Sequence, residues 1–148
     1  MVSFSLCMIV KDEEAVLSRC LDSLHDIMDE IIIVDTGSTD KTKEIARKYT
    51  DKIFDYKWCN DFADARNFAA SKATGDYIYT ADADEYLDAE NRDKLCQLKK
   101  IMLPEIEIVQ MLYHTPAGLS TVYNFEEEYR PKLYKRLRIF SWIDQIHE

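Results

Sequence analysis

Apolar runs and amphipathic segments alternate from the start of the chain, a pattern that predicts a mostly parallel sheet covered by helices. Ser3 to Val10 reads as the first strand. A helix follows from about Glu13 to Leu24, where Val16, Leu17, Cys20, Leu21 and Leu24 recur at steps of three and four. Glu30 to Asp35 is a buried strand, because Ile31 to Val34 leave it no polar face. In the turn Thr36-Gly-Ser-Thr-Asp40, Ser38 and Asp40 fit capping of a helix reaching Tyr49 better than ligand contact. Lys52 to Tyr56 is a short third strand. Asp61 opens a helix with Phe62, Ala65, Phe68, Ala69 and Ala73 on one face, stopped by Gly75. Tyr77 to Ala81 is the fourth strand. Asp88 caps a helix to about Met102, with Leu95, Leu98 and Ile101 inward and Pro104 marking its end. Beyond Ile106 the helical period disappears. Glu105 to Tyr113, Val122 to Phe125, Lys132 to Tyr134 and Arg138 to Trp142 read as strands, with Gly118 and Pro131 in loops.

This order places chemistry at one edge. The first, second and fourth strands end in Lys11-Asp-Glu-Glu, Asp35-Thr-Gly-Ser-Thr-Asp and Asp82-Ala-Asp-Glu, and ligands of open α/β sheets bind at the carboxyl edge. Asp82 and Asp84 stand one residue apart after the fourth strand, so they project to the same side and suit one hard divalent cation. An Asp-x-Asp triplet alone is a weak signal in a chain this rich in aspartate; its place at a strand end strengthens it. Asp35, directly after four buried aliphatics, is set to accept hydrogen bonds from a base or a ribose. The acids of Lys11 to Glu14 suit a helix start as well as a nucleotide contact, and Glu13 is the foremost contact among them. Arg66, among small and aromatic neighbours, is the local cation for an anionic ligand, with Asp64 beside it to orient the guanidinium. Trp58 and Trp142 read as packing residues rather than sugar platforms, and His25 and His114 carry no role.

Composition narrows the classes. The chain of 148 residues fits one domain with a real core. A net charge of -9 argues against a nucleic-acid partner, which needs basic surface. Cys7, Cys20, Cys59 and Cys96 are scattered without metal spacing and read as reduced core residues. Ser3 to Val10 is too short for a signal peptide or a transmembrane segment, so the expected location is cytoplasmic, free or peripheral at the inner face of a membrane.

Five ordered blocks, Met8 to Glu14, Ile33 to Asp40, Asp61 to Asn67, Gly75 to Glu85 and Trp142 to Glu148, resemble the family-two glycosyltransferases over nearly the whole chain. The resemblance implies a GT-A fold, a mostly parallel twisted sheet flanked by helices with a mixed carboxyl-terminal part, and a nucleotide-sugar donor at the sheet edge. It implies that Asp35 contacts the base, Glu13 lines the nucleoside pocket, Asp82 lies near the ribose and metal, and Asp84 ligates Mg2+ or Mn2+. His147 then approaches the metal and diphosphate, and Glu148 serves as catalytic base toward a glycan, lipid or protein acceptor. The family's catalytic domain ordinarily continues further, so residues 1–148 are expected to be a single GT-A domain lacking that extension. The expected activity is inverting transfer of a hexosyl or N-acetylhexosaminyl group, from UDP-sugar by preference. A nucleotidyltransferase would want a glycine-rich basic loop after the first strand, and Lys11-Asp-Glu-Glu has none. A phosphoacceptor domain would want a lone aspartate ending the third strand and a lysine ending the fifth; Asp55 precedes Tyr56 and Tyr113 precedes His114. A nucleotide-sugar binding module without turnover remains the other alternative.

Overall fold

The apolar runs form strands β1 (Phe4–Val10), β2 (Glu30–Asp35), β3 (Ile53–Asp55) and β4 (Tyr77–Thr80), separated by helices α1 (Leu17–Leu24), α2 (Thr42–Ala46) and α3 (Phe62–Ser71). Helix α4 (Ala89–Ile101) then leads to β5 (Ile108–His114) and β6 (Glu127–Lys135). The computed structural model describes residues 1–114 and 127–136. The sheet has six strands in the order β3-β2-β1-β4-β6-β5. β1 to β4 are mutually parallel where they pair, whereas β6 runs antiparallel to β4 and to β5.

Two layers of apolar packing sandwich this sheet, and the period of two explains why the central strands are apolar throughout. Phe4, Leu6, Met8 and Val10 of β1 join Ile31 and Ile33 of β2 against Leu17, Leu21 and Leu24 of α1 and Leu95 of α4. Cys7, Ile32, Val34 and Ile78 turn to the other face, against Ala69 of α3 and Ala73. Helix α3 meets the sheet with small residues: Ala63, Ala65 and Ala69 are buried. Its phenylalanines pack sideways, Phe68 on Phe54 and Tyr56, and Phe62 on Trp58.

The helices are shorter than the pattern predicts. α1 begins at Leu17, because the amides of Val16 and Leu17 both bond to the Glu13 carbonyl in a turn that precedes it. α2 ends at Ala46 and continues to Tyr49 only as tight turns, with Lys48 and Tyr49 donating to Ile45 and Ala46. Asp61 and Asp88 cap α3 and α4 as expected, accepting from the amides of Asp64 and Asn91. Gly75 does not stop α3, which ends at Ser71; it permits a close approach to β1, where a Cβ would meet Ser5 Oγ at 2.6 Å. Ile101 is 75% exposed rather than inward, and buried Met102 takes its place because the backbone turns extended there.

Pro131 lies within β6 rather than in a loop. The register moves from Val109 opposite Leu133 to Gln110 opposite Pro131, so Lys132 is the extra residue of a β-bulge. β4 pairs only with Leu133 to Lys135, which leaves Pro131 no ladder amide to supply on that side. β5 runs one residue past the predicted end at Tyr113 and closes on His114. All four cysteines are free, but Cys59 is exposed and not in the core. The strands expected at Val122 to Phe125 and Arg138 to Trp142, with Gly118 and Trp142, lie outside the described residues. Among the described residues no helix is long and apolar enough to cross a membrane.

Candidate functional site

The loops after β1 and β2 are stitched together through side chains. Asp12 adopts a φ of 53°, a left-handed conformation that aspartate tolerates. Its amide donates to Ser38 Oγ at 2.9 Å, and its carboxylate accepts from the Thr39 amide at 2.7 Å. The Glu13 amide donates to Thr42 Oγ1 at 2.8 Å, and Glu14 Oε2 accepts from the Lys41 amide at 3.1 Å. Asp12 and Glu14 thus hold backbone, while the side chain of Glu13 is left to line a cavity at the carboxyl edge of the parallel strands. Ser38 and Asp40, expected as helix caps, do other work: Ser38 holds the β1 loop, and Asp40 accepts from the Thr42 amide at 2.9 Å in the turn ahead of Lys41, the N-cap of α2, which no side chain caps.

The cavity holds about 260 Å³ and is also lined by Arg66, Asp82, Asp84, Trp58 and Thr36. Asp82 and Asp84 alternate with buried Ala81 and Ala83, so the residues leaving β4 keep their small side chains in the core and both acids on the cavity. Arg66 reaches in from α3, its guanidinium 3.4 Å from Asp82 Oδ1 and its side chain only 13% exposed. Asp64 does not orient it: that carboxylate accepts the Tyr56 hydroxyl. Burial holds the Glu13 carboxyl above its ordinary range, and the nearby charges of Asp84 and Asp82 push it further the same way. The cavity therefore carries an excess of negative charge that a cation would relieve.

Asp35, the last residue of β2, is absent from this lining and 2% exposed. Its Oδ1 accepts from the amides of Gly37 and Ser38, both at 2.9 Å, in a turn that Gly37 completes at a φ of 116°. Its Oδ2 is the one buried side-chain oxygen without a partner among the described residues. His147 and Glu148 lie outside the described residues. Trp58, read from sequence as a packing residue, both packs against Phe62 at 4.7 Å and lines the cavity. Sequence reasoning missed Glu85 and Lys132, a nearly sealed ion pair beside the aspartates, since nothing local links positions 47 apart.

The acids among the described lining residues offer oxygen donors, which suit Mg2+ or Mn2+ rather than zinc. Among the described residues no three metal-ligating side chains cluster together, and Asp82 and Asp84 stand one residue apart on the cavity. That fits cations that keep several waters and take substrate phosphates as ligands.

A six-stranded mixed sheet with acids converging at its parallel edge defines an α/β domain of the GT-A class. The chain belongs to glycosyl transferase family 2, whose model matches residues 5–145. A TPR repeat-containing protein of Synechococcus elongatus is 50% identical over 90 residues, 61% of this chain and 22% of that protein. The SPbeta prophage-derived glycosyltransferase SunS of Bacillus subtilis is 38% identical over 96 residues, 64% of this chain and 23% of that one. The match thus spans about a quarter of the length of these curated relatives. S. aureus TarS 1-349 superposes with a TM-score of 0.62 at 20% identity, over 90% of this chain and 47% of that one, and has also been solved in complex with UDP. M. tuberculosis glucosyl-3-phosphoglycerate synthase, in complex with Mn2+ and UDP-glucose, superposes at 0.51 with 22% identity, over 57% of this chain and 34% of that one. At such identities the structural likeness speaks to fold alone.

Proposed function

We propose that this chain is the donor-binding domain of a metal-dependent, inverting glycosyltransferase that moves a hexosyl or N-acetylhexosaminyl group from a UDP-sugar to a glycan, lipid or protein acceptor. The observation that carries the reading is the convergence of Glu13, Arg66, Asp82 and Asp84 from three elements of the chain on one edge cavity. Structures of TarS with UDP and of the mycobacterial synthase with Mn2+ and UDP-glucose support it.

Asp35 and Glu13 take the nucleoside, with the unpartnered Asp35 Oδ2 as acceptor for a donor group of the base. Asp84, for whose carboxylate the described residues offer no ion pair, would hold Mg2+ or Mn2+, with Asp82 on the same cavity and His147 added by the family resemblance. When bound, that cation neutralises charge building on the leaving diphosphate. Arg66 adds a fixed positive charge at the same place, already aligned by Asp82. The Glu148 carboxylate takes the proton of the attacking hydroxyl. A thermal-shift panel of nucleoside diphosphates and nucleotide sugars, each with and without Mn2+, tests the reading, since a ligand of the native state raises its stability. UDP compounds with Mn2+ are expected to shift the midpoint most. A panel in which no nucleotide does so overturns it.

A further inference from the structure

The turn that carries Asp82 and Asp84 is gripped by α1 and by β6. From α1, Arg19 Nη2 donates to the Asp84 carbonyl at 3.1 Å, Cys20 Sγ faces the Asp82 carbonyl at 3.7 Å, and Ser23 Oγ accepts from the Leu87 amide at 3.1 Å. These contacts seize backbone. From β6, the bulge residue Lys132 reaches Glu85 in an ion pair whose side chains are 11% and 12% exposed. Glu85 is the third acid of the run, and it is absent from the cavity lining that Asp82 and Asp84 share.

We propose that Lys132 is a positioning residue for the donor site: its ion pair with Glu85 fixes the turn on which Asp82 and Asp84 stand. The inference rests on the donor-site reading given above. A buried carboxylate that loses its cation is left uncompensated and turns toward water. Glu85 follows Asp84 directly, so any such movement displaces the aspartates with it. The bulge is what makes the contact, since the extra residue in β6 re-aims a lysine that regular pairing would place elsewhere.

Charge and position predict opposite signs, which makes the proposal testable. As a mere positive charge near the acids, Lys132 opposes a divalent cation, and its removal would tighten Mn2+-dependent UDP binding. As a positioning residue, its removal weakens that binding. The measurement is UDP affinity by calorimetry, with Mn2+ and with chelator, on the whole chain and on Lys132→Met at a temperature where both are folded. The expected result is a loss of about 10–100-fold in the Mn2+-dependent affinity, the usual effect of freeing a residue that orients a metal ligand. Lys132→Arg, which keeps the charge on a long stem, is expected to recover most of it. If Lys132→Met does not fold, Lys132→Gln, which leaves Glu85 without its cation but offers it an amide donor, carries the same expectation. Unchanged or tighter Mn2+-dependent binding in the folded variant overturns the latch while leaving the donor site standing. Absence of Mn2+-dependent UDP binding in the unaltered chain overturns the donor-site reading and the latch with it.

Discussion

Glu30→Gln is expected to lower stability by about 2–3 kcal/mol at neutral pH, and most of that loss is expected to vanish in acid. The Glu30 carboxylate closes the amino-terminal end of the sheet. It accepts from Ser5 Oγ at 2.8 Å, from the Thr74 amide at 2.8 Å and from Thr74 Oγ1 at 2.9 Å, and it pairs with Lys52 Nζ at 2.5 Å. Burial alone would raise its pKa, but these donors together lower it from 4.5 to about 2. A pKa held below its unfolded value means that the ionised group stabilises the fold above pH 4.5, and that the contribution fades as pH falls toward 2. The full shift corresponds to about 3 kcal/mol. Screening around half-exposed Lys52 trims it toward the lower figure, while the Glu30 side chain itself is only 7% exposed. Linkage leaves less than half of the contribution, roughly 1 kcal/mol, at pH 3. Urea unfolding of both proteins at pH 7 and pH 3 reads the gap directly, with slopes expected to match because the same surface is exposed. A gap that is equal at the two pH values would refute the assignment of this stability to the charge on Glu30.

Gly75→Ala should cost about 1–3 kcal/mol of unfolding free energy, because its methyl would press on Ser5 Oγ at 2.6 Å and on the Ser3 carbonyl at 3.2 Å; an unchanged urea midpoint would show that β1 can yield. Asp35→Asn keeps an oxygen for the Gly37 and Ser38 amides but puts an amide donor where an acceptor stood. It should leave the melting point nearly unchanged and weaken uridine binding by about 1.5–3 kcal/mol without metal, and equal affinity by calorimetry would leave Asp35 a turn-former only. Glu148→Gln, made in the longest form of the protein, should spare donor binding and cut transfer by roughly a hundredfold to ten-thousandfold; full transfer would move the base elsewhere.

The parallel core and the meeting of three strand ends were legible from sequence because both follow from local pattern. Ile31 to Val34 announce a strand covered on both faces, and the two core layers divide them as alternation requires. Asp82 and Asp84 share a cavity for the same reason. What pattern did not carry was contact between distant segments. Ser38 holding the Asp12 amide, Gly75 against Ser5 and Lys132 on Glu85 join residues far apart in the chain, and the first two took a residue from the role its neighbours suggested. Pro131 misled most directly, since proline reads as a loop unless a bulge and a half-paired strand accommodate it. Helix lengths failed where capping at one end gave way to tight turns, as between Ala46 and Tyr49.

The central proposal is that Asp84 recruits a divalent cation to a bound diphosphate. Calorimetric titration of UDP into the unaltered chain and into Asp84→Asn, each in Mn2+ and in chelator, tests it most directly. Asp84 is exposed at the cavity, so the amide should preserve the fold and the urea midpoint. The account predicts that Mn2+ strengthens UDP binding to the unaltered chain by about tenfold or more, worth about 1.4 kcal/mol or more, and has no such effect on Asp84→Asn. Equal UDP affinity in Mn2+ and in chelator for the unaltered chain, or an undiminished Mn2+ response in Asp84→Asn, would contradict it.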